Sequence, residues 1–320
     1  MSEENHSWLE HYPVTLFTII MGVSGLTLAL RSGERALGFR ETLSVGAYVL
    51  TLALFLVIAS GYALKALRYP QAVRAEWDHP VKLAFFPAIS IGLLLLSTAT
   101  VPWSMSAAHV MWLVGALGQG VLTIAVVSGW IGSRAFLHGH LSPAWFIPAV
   151  GNVIVPIAGV KLGYIETSWF FLSVGLIFWS VLLTLVMNRL IFHDPLPERL
   201  QPTLVILIAP PAVGFLAWVE LTGEIGSFGR VLLNGAYLFA LIVAVQLPRI
   251  LRLPFAMSFW ALSFPVAALT IASFTYAGAM RSQPHQFIGV ALLSALVAII
   301  AALLIRTSRA ILAGGVFRPE

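Results

Sequence analysis

Residues 143–162 read PAWFIPAVGNVIVPIAGVKL, an apolar segment that begins with Pro143 and carries Pro148 and Pro156 inside it. A helix of about 20 residues crosses the hydrocarbon core of a bilayer, which is about 30 Å thick. A proline inside such a helix leaves the carbonyl four residues earlier without its backbone donor. In lipid an unpaired carbonyl costs several kcal/mol, so this segment predicts a membrane helix that other protein shields from lipid.

The composition of the whole chain agrees with a membrane protein. Of the 320 residues, 59% are hydrophobic and 10% are charged, and the mean hydropathy is +0.93. The 18 basic and 13 acidic side chains are too few to cover a soluble domain of this size. The chain has no cysteine, which excludes disulfides, thiolate catalysis and cysteine metal sites. We therefore predict an all-α integral membrane protein.

Ten apolar stretches follow one another along the chain. They lie near 13–31, 42–67, 83–101, 107–131, 143–162, 168–192, 202–220, 226–248, 255–278 and 286–308. All ten are interpreted as transmembrane helices, because an open sheet cannot pair its backbone groups in lipid. No linker between them is long enough to separate two domains, so residues 1–320 are expected to form a single transmembrane domain.

Prolines divide the ten stretches into two alternating sets. Each odd-numbered stretch begins near a proline, and the odd stretches after the first also carry the internal prolines Pro87, Pro148, Pro156, Pro210, Pro211 and Pro265. The interiors of the even-numbered stretches carry none. Kinked helices belong where protein or water can satisfy their freed carbonyls. The pattern predicts five helical hairpins, with kinked odd helices inside around a central pore and straight even helices outside. The alternative is a solid bundle whose helices are merely bent.

The distribution of charge predicts an orientation. Twelve lysines and arginines fall on the side that bears both termini and six on the other side, which places both termini in the cytoplasm. Residues 1–11 carry no lysine or arginine, so the basic region of a cleaved signal peptide is missing and the first span is expected to remain.

Four short motifs resemble one family of membrane proteins. They are VRAEWDHPV at 73–81, FIPAV at 146–150, IAPPAV at 208–213 and WALSF at 260–264. In this order they are similar to the TehA-like tellurite-resistance/dicarboxylate transporter family, which shares a superfamily with the plant slow anion channels. The resemblance covers roughly residues 13 to 308. It departs at Ile20, where a helix-bending proline is expected in close relatives, so that Gly22 and Gly25 would supply any bend.

The resemblance implies a fold and a set of partners. It implies ten helices in five hairpins, a pore through each protomer, a homotrimer in a bacterial inner membrane, and small inorganic or organic anions as the transported species. It also implies that Phe264 occludes the pore midway as a gate. From the residues alone, Phe264 is equally an ordinary packing side chain beside Pro265.

Polar residues in the middle of the odd helices are candidates for contact with a passing anion. Asn152, between two prolines, and Ser263 are examples, and Gly22 and Gly25 would leave room for a conduit. The alternative is structural, because such residues also bond their own backbone or join membrane helices.

Charged residues are missing from the centres of the spans, which favours a neutral passage. Proton-coupled carriers usually need an ionisable relay in the membrane, whereas rapid conduction needs sites that bind loosely. Candidate charges at the mouths are Lys161, Arg230 and Arg281 on the outer side and Arg74 and Lys82 on the inner side. The first hypothesis is therefore a gated channel for chloride- or nitrate-like anions.

Two other functions remain open: a secondary transporter of C4-dicarboxylates such as malate, with or without coupling to protons, and a membrane scaffold without transport. An enzymatic function is not expected. His138 and His140 form a pair beside a loop without a third metal ligand, so no metal site is predicted. We also expect no cofactor and no nucleic-acid partner. Membrane lipid is the expected surrounding.

Overall fold

The fold is described by a computed structural model for residues 8–132 and 136–317, without the side chain of His138. Within these ranges all regular structure is helical. The α-helices are α1 (Phe17–Leu37), α2 (Thr42–Arg68), α3 (Pro70–Asp78), α4 (Pro87–Thr100), α5 (Met105–Gly132), α6 (Phe146–Gly159), α7 (Ile165–Phe192), α8 (Ala209–Thr222), α9 (Gly226–Ile250), α10 (Ser263–Met280) and α11 (Gln283–Leu312). Both termini, whose orientation the charges predict, lie outside the described residues.

Nine helical segments in the described part of the chain are long and apolar enough to cross a membrane, and Pro143–Gly159 is a shorter apolar helix. All ten fall where apolar stretches were predicted. One helix was missed, because Pro70–Asp78 was interpreted as part of a loop and instead forms α3. This short helix packs against the end of α2 and against Lys82–Phe85.

The helices form an inner and an outer set. Helices α1, α4, α6, α8 and α10 each contact the next, and α10 contacts α1, which closes a ring of five. In four of these segments 72–83% of the most apolar window is buried, and α6 is buried along nearly its whole length. In α2, α5, α7, α9 and α11 only 17–33% of that window is buried. The exposed faces of this outer set are apolar, as contact with lipid requires.

Every inner helix begins as a 3₁₀ helix and then becomes α-helical. The 3₁₀ segments are Val14–Leu16, Lys82–Phe85, Pro143–Trp145, Glu198–Ile208 and Met257–Leu262. We call this the near end of the ring and the opposite end, where the inner helices finish, the far end. The five helical hairpins predicted from the prolines therefore also share a backbone feature, a 3₁₀-to-α transition at the start of each inner helix.

Most of the internal prolines mark these transitions and do not kink an α-helix in its middle. The prolines in the first turn of an α-helix are Pro87, Pro148, Pro210, Pro211 and Pro265. In that position a missing N–H removes no α-helical hydrogen bond, which corrects the expectation of mid-helix kinks. Pro156 does lie inside α6. The outer set is not free of internal proline either, because Pro248 lies within the last turn of α9.

Candidate functional site

A wide cavity of about 440 Å³ occupies the far half of the ring. Its wall comes from the later turns of all five inner helices. The polar side chains in this wall are Arg31, Ser32, Arg35, Thr98, Lys161, Glu220 and Thr275. The remaining wall is apolar, so charge is concentrated at a few positions of one chamber.

A narrow cavity of about 30 Å³ lies in the near half of the ring. It is lined by the 3₁₀ segments and the first turns of the inner helices, and all of its lining residues are uncharged: Thr18, Met21, Phe85, Ile147, Val150, Ile206, Ala209, Met257, Ser258, Trp260, Ala261, Phe264 and Pro265. A space of this size holds about one water molecule.

Phe264 is the residue that the walls of both cavities share among the described residues. It is 7% exposed and stands in the first turn of α10, directly before Pro265. Opposite it on α1 lies Gly25, where an added Cβ would come within 3.4 Å of the ring carbon Cδ2 and 2.8 Å of the Ala267 Cβ. The glycine therefore lets α1 approach the ring closely.

Gly22 has the same packing role one turn earlier. A Cβ at this position would overlap the side chain of Ser263 and approach Trp260 within 2.9 Å. The structure describes α1 as one continuous α-helix from Phe17 to Leu37, so the glycines serve close contact with α10. Ser263 itself is fully buried and donates to the Trp260 carbonyl at 2.5 Å, and it is not in the wall of either cavity.

Asn152 also lies away from both cavities and faces the outer helix α5. Its Nδ2 donates to the Pro148 carbonyl at 2.8 Å and to Thr123 Oγ1 at 3.0 Å. Gln119 of α5 donates to the same carbonyl at 2.9 Å and accepts from Ser90 Oγ at 2.7 Å. These buried amides give the Pro148 carbonyl two side-chain donors and join α6 to the outer helix α5.

Two polar residues of these walls and contacts were not predicted from the sequence, Gln119 and, more importantly, Arg31. The first predicted span ended at residue 31, whereas α1 continues to Leu37 and is capped by Gly38 with a left-handed φ of 72°. This extension places Arg31, which is 6% exposed, in the wall of the wide cavity. The wide cavity therefore has charged residues in its wall at the far end, whereas the lining of the narrow cavity is uncharged, and the neutral passage stays a prediction.

Arg31 is held by two of its nitrogens. Nε donates to Glu41 Oε2 at 3.0 Å, Nη1 donates to the Ala99 carbonyl at 3.1 Å, and the guanidinium lies 5.9 Å from the centre of the Trp103 ring. Arg35 donates to the other oxygen of Glu41 at 2.6 Å. This hydrogen bond, with the positive charges of Arg35 and Arg31, lowers the pKa of Glu41, which lies in the loop between α1 and α2.

The predicted mouth charges are distributed unevenly. Lys161 lines the wide cavity and pairs with Glu220 at 2.8 Å. Arg230 is exposed, and its Nη1 donates to Tyr276 Oη at 3.4 Å. Arg281 is an exposed left-handed cap of α10, with a φ of 49°. Neither arginine lines the wide cavity.

On the near side, Arg74 lies exposed on α3, and Lys82 begins a 3₁₀ segment. The narrow cavity has neither of them in its wall.

A buried ion pair fastens the near end of the ring. Lys65 Nζ lies 2.9 Å from Glu76 Oε2, and their side chains are 2% and 8% exposed. Glu76 Oε1 accepts from the backbone N–H of Val14, and Oε2 accepts from Tyr62 Oη at 3.0 Å. Glu76 belongs to the VRAEWDHPV motif. Through Glu76 this motif joins α3 to the 3₁₀ start of the first inner helix and to the last turns of α2.

The described residues contain no group of three histidines, aspartates or glutamates that could hold a metal ion. His140 accepts a hydrogen bond at Nδ1 from the backbone N–H of Leu137 at 3.1 Å. The side chain of His138, its predicted neighbour in the pair, lies outside the described residues.

Together these observations define a helical membrane protein in which five inner helices surround two cavities that share Phe264 in their walls. The family model described as voltage-dependent anion channel (SLAC1) matches residues 11–308, and the chain belongs to that family. The family resemblance predicted from the four motifs is thereby confirmed.

Three relatives show how far the similarity extends. The chain is 28% identical to the S-type anion channel SLAH3 of Arabidopsis thaliana over 96% of this chain and 49% of that protein, so it spans about half the length of this plant relative. It is 26% identical to the uncharacterized transporter MJ0576 of Methanocaldococcus jannaschii, over 97% of this chain and 96% of the other. It is 25% identical to a tellurite resistance protein TehA homolog of Haemophilus influenzae, over 80% and 79%.

Proposed function

We propose that this protein conducts small anions through a pathway inside the ring of inner helices, and that Phe264 gates it. The observation that carries the proposal is the position of Phe264 in the walls of both cavities. An anion moving from the wide to the narrow cavity would have to pass its ring. Membership of the anion-channel family supports the same class of transported species.

The physical basis of the gate is the cost of removing water from an ion. The ring lies between a wide cavity with charged residues and a narrow one whose lining is uncharged. Apolar constrictions stop ions by excluding water, because no polar group replaces the hydration shell. Displacement of one ring would join the two cavities without rearrangement of the helices.

The experiment is the substitution Phe264→Ala, measured as chloride and nitrate currents of purified protein in planar bilayers. We expect the conductance to rise about tenfold or more, since a hydrophobic block is removed. Phe274→Ala is the matched control. It removes the same ring from the same helix, about 15 Å away, and lines only the wide cavity.

Equal currents in wild type, Phe264→Ala and Phe274→Ala, at equal amounts of folded protein, would refute the gate. If none of the three carries anion current, the proposal of anion conduction fails as well.

The membrane topology is part of the same proposal. Ten helices would cross the bilayer as five hairpins, with both termini in the cytoplasm of a bacterium, and the short α6 would cross inside the ring where lipid does not reach it. The cysteine-free chain allows a direct test. A membrane-impermeant maleimide added to intact cells should label Glu224→Cys at the far end and leave Glu198→Cys at the near end unlabelled; the reverse pattern would invert the orientation.

A homotrimer is the assembly proposed from the family resemblance. Each protomer would carry its own pathway, because both cavities are built from one chain. Native mass spectrometry in detergent should give three chains per particle, and a monomer or dimer would reject the assembly without affecting the pathway.

Transport of C4-dicarboxylates is the second candidate, and one observation favours it. Arg31 and Arg35 of the wide cavity already bind a carboxylate, that of Glu41. Guanidinium groups recognise carboxylates well. Reversal potentials under malate and chloride gradients separate the two functions: a channel for small anions follows chloride or nitrate, whereas a dicarboxylate carrier shows saturable malate uptake.

A further inference from the structure

The buried guanidinium of Arg31 is the polar group of the wide cavity whose bonding is incomplete. Nε and Nη1 have acceptors, but Nη2 is buried and has no hydrogen-bond partner among the described residues. A buried N–H of a charged group that lacks an acceptor is destabilising. Arg31 lines the cavity, so a ligand that bonds to Nη2 would enter from there.

The acidic groups near Arg31 do not bond to Nη2. Arg31 and Arg35 share one carboxylate, that of Glu41, which accepts from Nε of each arginine. The carboxylate of the nearby Glu34 keeps its negative charge, but it accepts from the backbone N–H groups of Leu43 and Ser44 at the start of α2. Neither carboxylate therefore supplies an acceptor for Nη2.

The other charged pair in the wall is balanced. Lys161 and Glu220 lie 2.8 Å apart and are 43% and 31% exposed. Their opposite charges cancel at a distance, and solvent screens them. The donor that lacks an acceptor therefore lies on the arginine side of the cavity.

We propose that Arg31 forms a binding subsite for a small monovalent anion, such as nitrate or chloride, in the wide cavity. The inference deepens the proposed function, on which it rests. One unpaired donor group, Nη2, suits one small anion with a single charge. Nε and Nη1 of Arg31 already have acceptors, so only Nη2 can donate to the anion. A single donor binds an anion less firmly than the two parallel hydrogen bonds of a free guanidinium would.

The subsite is placed to supply anions to the gate. Arg31 follows Gly25 by six residues, about 9 Å along α1, and Gly25 faces the ring of Phe264. Because Arg31 is buried, salt screens its charge less over this distance than it would screen an exposed charge. The subsite would concentrate anions beside the gate and exclude cations from it.

The first experiment measures binding without conduction. Purified protein is heated in sodium nitrate or in sodium gluconate of equal ionic strength, and the unfolding temperatures are compared. A ligand that binds the folded state raises this temperature. We expect nitrate to raise it in wild type and in Arg35→Gln, and to lose this effect in Arg31→Gln. An equal shift in Arg31→Gln would overturn the subsite.

Arg35→Gln is the matched control because it removes the same charge from the same cavity and from the same carboxylate. The Arg35 side chain is 60% exposed, whereas that of Arg31 is 7% exposed. If both substitutions abolish the nitrate effect equally, the attraction comes from the overall charge of the cavity and the specific site is wrong.

The second experiment uses the Phe264→Ala background, where the current is large. The nitrate concentration for half-maximal conductance should rise about threefold or more in Arg31→Gln and less than twofold in Arg35→Gln. A conducting Phe264→Ala channel that Arg31→Gln leaves unchanged overturns the subsite alone. A silent Phe264→Ala channel overturns the proposed conduction, while the binding experiment still decides the subsite.

Two further variants cover the possibility that Arg31→Gln fails to fold. Arg31→Lys keeps the charge but loses the planar donors, so nitrate should bind weakly yet measurably. Glu41→Gln removes the competing carboxylate and should tighten nitrate binding in the same assay. Unchanged or weaker binding in Glu41→Gln contradicts the proposal. Malate that stabilises the protein more than nitrate at equal ionic strength contradicts the assignment to monovalent anions.

Discussion

The narrow and the wide cavity are walled by the same five helices, yet one holds about 30 Å³ without charge and the other about 440 Å³ with four charged side chains. The difference follows from the chain direction. At the near end the inner helices begin as 3₁₀ segments with large apolar residues, whereas at the far end their last turns reach charged positions. A ring of five similar helices thus encloses a small uncharged cavity at one end and a larger charged one at the other.

The ion pair at the near end is buried, whereas the Lys161–Glu220 pair at the far end is partly exposed. The largest expected change in stability tests this difference. Glu76→Gln should lower the free energy of unfolding by about 3–5 kcal/mol, because the buried ammonium of Lys65 loses its opposite charge and retains the hydrogen bond to the Tyr12 carbonyl. Glu220→Gln at the exposed far-end pair should cost at most about 1 kcal/mol. Chemical denaturation in detergent micelles measures both. Similar losses would show that the two ends are equally held.

Close helix contact at the gate is expected to matter next. Gly22→Ala introduces a Cβ that overlaps Ser263 and should destabilise the protein by about 1–3 kcal/mol. Gly46→Ala on α2 places the same methyl group where nothing lies within 4 Å. That control should be neutral or slightly stabilising, since alanine favours helix. Thermal unfolding compares the two variants, and equal stability would mean that α1 and α10 separate easily at the gate.

The contrast in size between the cavities can be used to close the pathway again. In the Phe264→Ala background, Ala261→Leu refills the narrow half with an apolar side chain and should reduce the conductance about tenfold. Ala268→Leu places the same side chain in the wide cavity and should have little effect. Bilayer recordings of the two double variants decide this. A larger loss of conductance from Ala268→Leu than from Ala261→Leu would mean that the barrier lies in the wide half, which contradicts the proposal.

The smallest expected effect is the loss of stability at low pH that follows from protonation of Glu41 at the far end. The pKa of Glu41 is lowered in the folded protein, so its contribution to stability is present above the unfolded value of about 4.3 and is lost as pH falls through the lower folded value. Because the carboxylate is partly exposed, the contribution should be at most about 1 kcal/mol. The stability difference between wild type and Glu41→Gln should vanish between neutral pH and about pH 3. A constant difference over that range would contradict the ion pair.

Much of the architecture was readable without coordinates. The ten apolar stretches correspond to ten helices, because their length and hydropathy are local properties of the chain. The alternation of prolines predicted which helices are buried, although most of these prolines lie at 3₁₀-to-α transitions and only Pro156 lies inside an inner α-helix. The four motifs identified the family. The boundaries were less accurate, because Arg31, Arg35 and Glu34 lowered the hydropathy of turns that α1 nevertheless contains.

The sequence alone determined that the membrane helices form two sets, an inner set rich in proline and an outer set poor in it, and to which family the chain belongs. Only the tertiary structure decided what the individual side chains do. It turned Asn152 towards Gln119, assigned most of the internal prolines to 3₁₀-to-α transitions, and placed Arg31 in the cavity wall. The physical reason is that burial, pairing of charges and the facing of a cavity depend on contacts between helices distant in the chain, which local composition does not contain.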